Sequence, residues 1–559
     1  MARAAILSLM GLGLAASAWS QQIPPSVEPG QVQRQLQQRR APPPVAPQVF
    51  APAPEQPLPE GASDIHFTLR GVEVSGSSVY GARAIESAFA PLIGHDTAVS
   101  EVFRAANALT ARYRRDGYIL SQVLVPAQDV SAGRVRLIVV EGFIDQVVYR
   151  GDVPADSPML AGFARKLTAA RPLTAAVLER YLLLMNDLGD TTARGTLVPA
   201  ERVQGASDLL VDFARHHERT AVAGDNRNSR SLGPFRATSD LDWYGAASTW
   251  DHVGLSAGTT FNSDLNYAGL RYGSTLGHDG ERWGLSVTGV YSRPGPAANL
   301  TVTDLHSNSV AGALQVDYPL LRSRAQNLYL RASLTSFDGR SVFETADVSD
   351  DHIRAARLGL SLDVADAWRG VNQLDLEFSQ GLNILGARET GTASEPLSRA
   401  GGHADFSKIT LYAARLQSLG GPWSGLLAVS GQQAFCTLLS PELFAYGGEP
   451  FGRGYDAAEL VGDSGEAAKA ELRFSGFTAT TFVPAYSVYG FFDWGEVRRR
   501  EPVNEPAREH ASSAGLGARF SGARNSWQGY LELAKPLDHV VAAEGNRSLR
   551  VFFGVQVNL

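Results

Sequence analysis

The stretch LRVFFGVQVNL, Leu549–Leu559, alternates along its whole length. Leu549, Val551, Phe553, Val555, Val557 and Leu559 fall on one side, and Arg550, Phe552, Gly554, Gln556 and Asn558 on the other. Successive side chains of a strand point to opposite faces, so one face here is wholly apolar. The same division recurs in AAKAELRFS, where Ala468, Ala470, Leu472 and Phe474 oppose Lys469, Glu471, Arg473 and Ser475. In NQLDLEFSQ, Leu374, Leu376 and Phe378 oppose Asp375 and Glu377. A soluble sandwich would also alternate, with its charges outside. A strand with lipid outside and water inside has the reverse arrangement, which fits a transmembrane barrel.

Working outward from this stretch, sixteen such segments follow one another. They lie near residues 219–226, 233–245, 252–263, 266–276, 282–293, 307–319, 326–337, 352–364, 371–384, 404–418, 423–436, 466–476, 485–497, 510–521, 525–535 and 547–559. An even count lets a closed antiparallel barrel begin and end on the same side of a membrane. Trp243, Trp250, Trp283, Tyr291, Trp494 and Trp527 stand near segment ends, where interfacial aromatic girdles are expected. The barrel is assigned to residues 217–559, with one long connection, 437–465, reading as a loop directed inward.

Ahead of the barrel the periodicity is different. IHFTLRGVEVSG reads as a strand, YGARAIESAFAPLIG as a helix, and VSEVFRAANALTARYRRDG as a second helix. In the second helix Val102, Phe103, Ala106, Leu109 and Tyr113 keep helical spacing and Gly117 ends it. YILSQVLVP and GRVRLIVVEG then read as paired strands, giving β-α-α-β-β. LVPA occurs at Leu124–Ala127 and again at Leu197–Ala200, an offset of 73 residues. That shift carries helix Val99–Arg115 onto Pro172–Leu188 and strand Val135–Val140 onto Asp208–Phe213. Register kept across helix and strand predicts two copies of one small domain, 64–142 and 143–216.

The first 20 residues read as a signal peptide. Arg3 supplies the positive charge, Ala4–Ala18 the apolar run, and Ala18 with Ser20 the small residues before a cut at Gln21. Residues 21–40 form a candidate helix. Pro29 suits its start, Glu28 precedes its positive end, and Arg39 and Arg40 stand at the other. Val32 and Leu36 give only a narrow apolar stripe, so this is either a solvent-bridging element or not a stable helix. Residues 41–63, with eight prolines between Pro42 and Pro59, read as an extended tether; a tail without purpose is the alternative.

Composition narrows the function classes. A net charge of −7 supplies no basic footprint for nucleic acid. The one cysteine, Cys436, excludes an intrachain disulfide and reads as a packed thiol. There is no H-E-x-x-H or G-K-[ST] motif, and neither an enzyme, a cofactor nor a metal site is expected.

One glycine-rich stretch stands out, GGEPFGRGYD, Gly447–Asp456, with Arg453 between Gly452 and Gly454 and followed by Tyr455. A guanidinium in a crowded lumen needs a carboxylate of matching geometry. The strand YSVYGFFDWGEV puts Tyr489, Phe491, Asp493 and Gly495 on one face and Val488, Gly490, Phe492 and Trp494 on the other. Asp493 is costly toward lipid and is expected to point inward. Two readings stay open: Arg453 pairs with Asp493, or Arg453 is solvated outside and Asp493 meets another luminal cation.

GRGYD, Gly452–Asp456, is similar to a loop-tip motif, and FFDWG, Phe491–Gly495, to the F-x-D-x-G strand motif, of the BamA-like superfamily. GDNRNSRSLGPFR, Gly224–Arg236, resembles the first barrel hairpin of the two-partner secretion translocators within it. With the signal peptide, polar helix, Pro-rich linker and repeats, nearly the whole mature chain resembles these TpsB-type proteins, the haemolysin secretion/activation family. Phe451-Gly452 precede Arg453 where the family often has valine, and Leu559 stands where its last residue is commonly aromatic. The resemblance implies a mostly β protein: a 16-stranded transmembrane barrel in the bacterial outer membrane, two periplasmic POTRA domains and a plug helix. It implies export of an unfolded partner exoprotein, captured by the POTRA domains through added-strand pairing. Cargo folding outside would drive export without nucleotide. Arg453 and Asp493 would anchor the inward loop, with Gly452, Gly454, Tyr455, Phe491 and Gly495 around them. The partners implied are the exoprotein and outer-membrane lipid, with a monomeric barrel. A barrel-assembly insertase and a passive channel are the rival readings.

Overall fold

Along the second half of the chain, antiparallel neighbours pair in strict sequence until the sheet closes on itself. In this computed structural model, which describes residues 25–36, 56–154, 156–203, 205–294, 304–502 and 505–559, the closed sheet has sixteen strands. The signal-peptide reading and most of the proline-rich stretch lie outside the described residues.

The N-terminal part begins with helix α1, Pro29–Leu36. The first repeat holds β1 (His66–Thr68), β2 (Gly71–Ser75), α2 (Ala82–Phe89), β3 (Asp96–Ala98), α3 (Val99–Arg115), β4 (Gln122–Leu124) and β5 (Arg134–Val140). The second holds β6 (Phe143–Gly151), α4 (Pro158–Ala169), α5 (Ala175–Asn186), β7 (Thr191–Pro199) and β8 (Ala206–Arg215). Their sheets have the same order, β2-β5-β4 and β6-β8-β7, with the first pair parallel and the second antiparallel. Each sheet lays one face on its two helices. Val102, Phe103, Ala106, Leu109 and Tyr113 of α3 are buried against Val135, Leu137 and Val139 of β5.

IHFTLRGVEVSG does not form the single strand expected. It breaks after Thr68, and β1 pairs with β3 while β2 pairs with β5. The arginine and glycine at the break let the chain change partners: the Arg70 N–H donates to the Gly133 carbonyl instead of joining either ladder. YILSQVLVP contributes only the short β4. In the chain just after it, Gln128 donates to the Arg136 carbonyl and accepts from the Arg136 N–H, replacing the ladder that β4 no longer supplies to β5.

The barrel strands are β9 (Glu218–Asp225), β10 (Arg236–Tyr244), β11 (Asp251–Thr260), β12 (Leu265–Leu276), β13 (Glu281–Ser292), β14 (Leu305–Arg322), β15 (Gln326–Phe343), β16 (Ala346–Ala365), β17 (Gly370–Gly381), β18 (Ser407–Gly420) and β19 (Trp423–Ala434). A two-stranded ribbon follows, β20 (Phe444–Tyr446) with β21 (Leu460–Gly462). The barrel resumes with β22 (Ser464–Phe477), β23 (Ala485–Arg498), β24 (Arg508–Ser521), β25 (Trp527–Pro536) and β26 (Arg550–Asn558). Closure joins β26 to β9, from Gly554 opposite Asp225 to Asn558 opposite Ala221.

The alternation falls as expected. Val551, Phe553, Val555 and Val557 are exposed on the outer face, whereas Arg550 and Phe552 are buried inside. β14, β15 and β16 run to 18, 18 and 20 residues, beyond their expected lengths. Their extra turns of ladder carry polar residues on both faces, such as Arg340 with Asp347, so apolar alternation does not reveal them.

Connections at the end where the repeats sit are two to seven residues long, and the longest ones, 382–406 and 435–463, lie at the other. Trp250, in one of the short turns, is not a girdle residue. It is buried in the core of the second repeat, and its indole N–H donates to Ser157 Oγ at 3.1 Å. Nearby, Arg322 makes a bidentate pair with Asp187 at 2.8 Å for both contacts. The second repeat is therefore fastened to the barrel end by a buried aromatic and an ion pair.

Candidate functional site

The long connection between β19 and β22 folds back into the lumen. Its ribbon, β20–β21, lies against β22 and β23, and Phe444, Tyr446, Phe451, Tyr455 and Leu460 form a buried cluster with Val497 and Ala511. An apolar loop inside a water-lined barrel gains from covering its own surface in this way.

Arg453 stands at the inner tip and is buried. Its backbone N–H and Nε both donate to Asp493 Oδ2, at 3.0 and 2.9 Å, and Nη2 donates to Oδ1 at 2.8 Å. The structure thus selects the paired reading of this arginine. The fork-on-fork geometry is one that lysine cannot supply. Phe491, two residues earlier on the same inward face, lies 3.6 Å from the guanidinium carbon at its ring centroid.

Four further residues of the two motifs explain themselves by packing or hydrogen bonding. Gly452 adopts φ +91°, in the left-handed region that a side chain disfavours. Gly495 lies under the Tyr446 ring, and a Cβ there would fall 2.2 Å from that ring. Tyr455 is buried and donates from its hydroxyl to the Ser512 carbonyl at 2.8 Å. The Gly454 N–H meets Ser513 Oγ at 3.2 Å.

The pair is part of a larger cluster. Arg453 Nη1 also donates to Glu471 of β22 at 2.8 Å and lies 3.7 Å from Glu532 of β25. Glu471 is shared with Arg473 at 2.6 Å and Arg519 at 2.8 Å. Glu532 accepts from Tyr489 at 2.8 Å and pairs with Arg227 from the first hairpin, which lies 3.9 Å from Glu449. The cluster holds Arg227, Arg453, Arg473 and Arg519 against Glu449, Glu471, Asp493 and Glu532, so it is charge-balanced. Buried charges persist only when paired and hydrogen-bonded, as Arg227, Arg453, Glu471, Asp493 and Glu532 are.

Of these residues, the sequence places Glu471 and Arg473 on the luminal face but does not say that they meet Arg453. The periodicity that finds inward charges carries no register between distant strands. A second tie is equally invisible in sequence: Asp456 pairs with Arg550 of β26 and accepts from Ser229 Oγ at 3.2 Å and the Arg230 N–H at 3.1 Å. GDNRNSRSLGPFR therefore includes, besides strand ends, a connection that clasps the inward loop. A third tie holds Glu442 between Arg357 and Lys408, each at 2.6 Å.

Helix α1 also lies in the lumen, beside this loop. Val27 and Val32 are buried against Leu232, Leu265 and Val290. Gln31 Nε2 donates to the Ser440 carbonyl at 2.6 Å, and Arg34 donates to the carbonyls of Pro441 and Leu443. Among the described residues no His, Cys, Asp and Glu group is arranged to hold a metal ion. Cys436 is half-buried without a disulfide.

Comparison with known proteins matches this architecture. Residues 205–520 match the family model of haemolysin secretion/activation proteins ShlB/FhaC/HecB, and residues 67–142 match the ShlB-type POTRA domain. The chain is 21% identical to the heme/hemopexin transporter protein HuxB of Haemophilus influenzae (strain 86-028NP), over 91% of both chains. It is 26% identical to the outer membrane transporter CdiB-2 of Burkholderia pseudomallei (strain 1026b), over 69% of this chain and 66% of that one. The fold resembles CdiB from Escherichia coli, with a TM-score of 0.73 and 19% identity, covering 95% of this chain and 99% of the other. A closed sixteen-stranded barrel, a ShlB-type periplasmic domain and a match over more than half its length place this chain in the ShlB/FhaC/HecB haemolysin secretion/activation family, as a TpsB-type translocator of the outer membrane.

Proposed function

We propose that the chain exports an unfolded partner exoprotein of the haemolysin or adhesin type from periplasm to cell surface, without nucleotide. The observation that carries this reading is the lumen. A sixteen-stranded barrel encloses a channel, and here it holds two segments secured in unlike ways: a loop anchored by a buried ion cluster and a short helix held by contacts to that loop and several barrel strands. That is the arrangement a conduit with a removable plug requires. HuxB is named for heme and hemopexin and CdiB as an outer membrane transporter. A secreted protein of comparable standing is the partner proposed here.

In this reading residues 1–20 are cleaved and residues 21–40 plug the lumen at rest. Residues 41–63 tether the plug, 64–142 and 143–216 are the POTRA domains that capture cargo, and 217–559 form a monomeric barrel. Gly452, Arg453, Gly454 and Tyr455 act with Phe491, Asp493 and Gly495 as the loop anchor that shapes the conduit. Deleting the gene and comparing secreted proteins tests the reading. The expected result is loss of one large exoprotein from the medium, with outer-membrane proteins unchanged. Full secretion of every exoprotein overturns it, and general depletion of outer-membrane proteins points to an insertase instead.

A further inference from the structure

Residues 437–443 of the inward loop are gripped from two sides. Toward the lumen their carbonyls receive helix α1: Gln31 donates to Ser440, and Arg34 to Pro441 and Leu443. On the other side they meet the long connection 382–406, between β17 and β18. The Ser440 N–H donates to Ser398 Oγ at 3.0 Å, and the His403 N–H to the Thr437 carbonyl at 3.0 Å. Leu438 and Leu439 are buried with Ala404 and Phe406, so the contact also has an apolar core.

The hub of this contact is Asp463, which lies between β21 and β22 and is wholly buried. Arg399 Nη1 donates to Oδ1 at 2.7 Å, and Nη2 to Oδ2 at 3.2 Å. The Leu438 N–H donates to Oδ1 at 2.7 Å, and the Arg500 N–H to Oδ2 at 2.7 Å. Arg399 also reaches the carbonyls of Leu438, at 2.8 Å, and Arg500, at 3.3 Å. One carboxylate thus joins three connections at the outer end of the barrel, 382–406, 435–463 and 499–507. The ties at Glu442, Arg453 and Asp456 run to barrel strands and fix the loop to the wall. The tie at Asp463 joins loop to loop, so it can open without any strand moving. A buried carboxylate depends on its countercharge, and the fork of Arg399 supplies it.

We propose that Arg399 and Asp463 form an outer latch that positions residues 437–443 over helix α1, so that the plug is held from the cell surface as well as from the lumen. The proposal rests on the plug reading above and adds the residues that set how long the helix stays. With the latch shut, the carbonyls of Ser440, Pro441 and Leu443 are fixed as acceptors for Gln31 and Arg34. With it open, residues 437–443 are free to move outward, and the helix loses those bonds together. Loop movement at the cell surface is thereby coupled to release of a helix inside the barrel.

The experiment uses the full chain in planar bilayers, with protein lacking residues 21–40 as the reference for a lumen without the helix. Arg399→Ala is expected to raise the fraction of time spent at the reference conductance about tenfold, from the loss of charge-assisted bonds. Arg399→Lys keeps the charge without the fork and is expected to fall between wild type and Arg399→Ala. Hydrogen exchange at the Leu438 amide is expected to quicken in Arg399→Ala, while the Arg453 amide, bonded to Asp493, stays protected. That contrast also reports an intact barrel and inner anchor. In protein already lacking residues 21–40, Arg399→Ala is expected to change nothing further. A wild-type open fraction in Arg399→Ala, or an equal rise without the helix, overturns the latch. If removing residues 21–40 leaves the conductance as it was, the plug reading falls and the latch falls with it. If that removal raises the conductance and Arg399→Ala does not, the latch alone falls.

Discussion

The inward loop and helix α1 share one lumen, yet they are held by different physics. The loop is tied through Arg453, Glu442 and Asp456, each paired with luminal side chains on barrel strands far away in sequence. The helix and the turn before it are held by two buried valines, Val32 and Val27, and by bonds from Gln31 and Arg34 to backbone carbonyls of the loop. Removing one partner of a buried ion pair strands a charge and costs about 3–5 kcal/mol, whereas a neutral hydrogen bond such as that of Gln31 contributes about 0.5–1.5 kcal/mol and one from a charged donor such as Arg34 about 1.5–3 kcal/mol. The wall therefore holds the loop, and the loop helps to hold the helix. The segment proposed to leave is held by the weaker kind of contact.

The hardest way to break this comparison is Arg453→Ala. It leaves Asp493 without its bidentate partner, at a cost of about 3–5 kcal/mol to the seated loop. Secretion is expected to be lost while a heat-modifiable barrel remains in the outer membrane. Normal secretion would remove the loop from the mechanism. Exchanging the pair, Arg453→Asp with Asp493→Arg, is expected to restore little, because the new carboxylate at 453 would face Glu471 and Glu532. Recovery of secretion in the exchanged protein would mean that the pair acts alone and the cluster does not matter.

Smaller effects concern the helix. Removing residues 21–40 is expected to raise single-channel conductance in planar bilayers while protease protection of the loop stays as it was. An unchanged conductance would show that the helix does not obstruct the lumen. Gly30→Ala probes the same contact more finely. A Cβ at Gly30 would fall 2.5 Å from Pro441 Cα, so the helix must shift, at roughly 1–3 kcal/mol for overpacking. Longer open dwell times are expected, with the mean conductance between wild type and deletion. Identical dwell times would place the helix clear of Pro441 in the membrane.

Much of the architecture is legible in the chain. The period-two alternation of Leu549–Leu559 and its fifteen companions states which face meets lipid, because a charge on that face carries a large desolvation cost. The helical spacing of Val102 to Tyr113 and the 73-residue offset state that a small domain is repeated. Even the luminal direction of Asp493 follows from its neighbours Val488, Phe492 and Trp494. These are local properties, set by backbone geometry and solvent within a few residues.

Other features required the closed barrel. Trp250 has the sequence position of a girdle residue, but the docked second repeat buries it. Arg70 and Gly71 sit inside an alternating run, but competition between β3 and β5 splits it. Arg453 could have met any luminal carboxylate. Curvature of the sheet brings Glu471, Asp493 and Glu532, from three strands, within reach of one guanidinium. By itself the sequence determined period, face and repeat, since those follow from the pleat and from water. Tertiary structure alone decided which charges meet, because pairing across a lumen depends on register and closure, and neither is encoded within reach of a single strand.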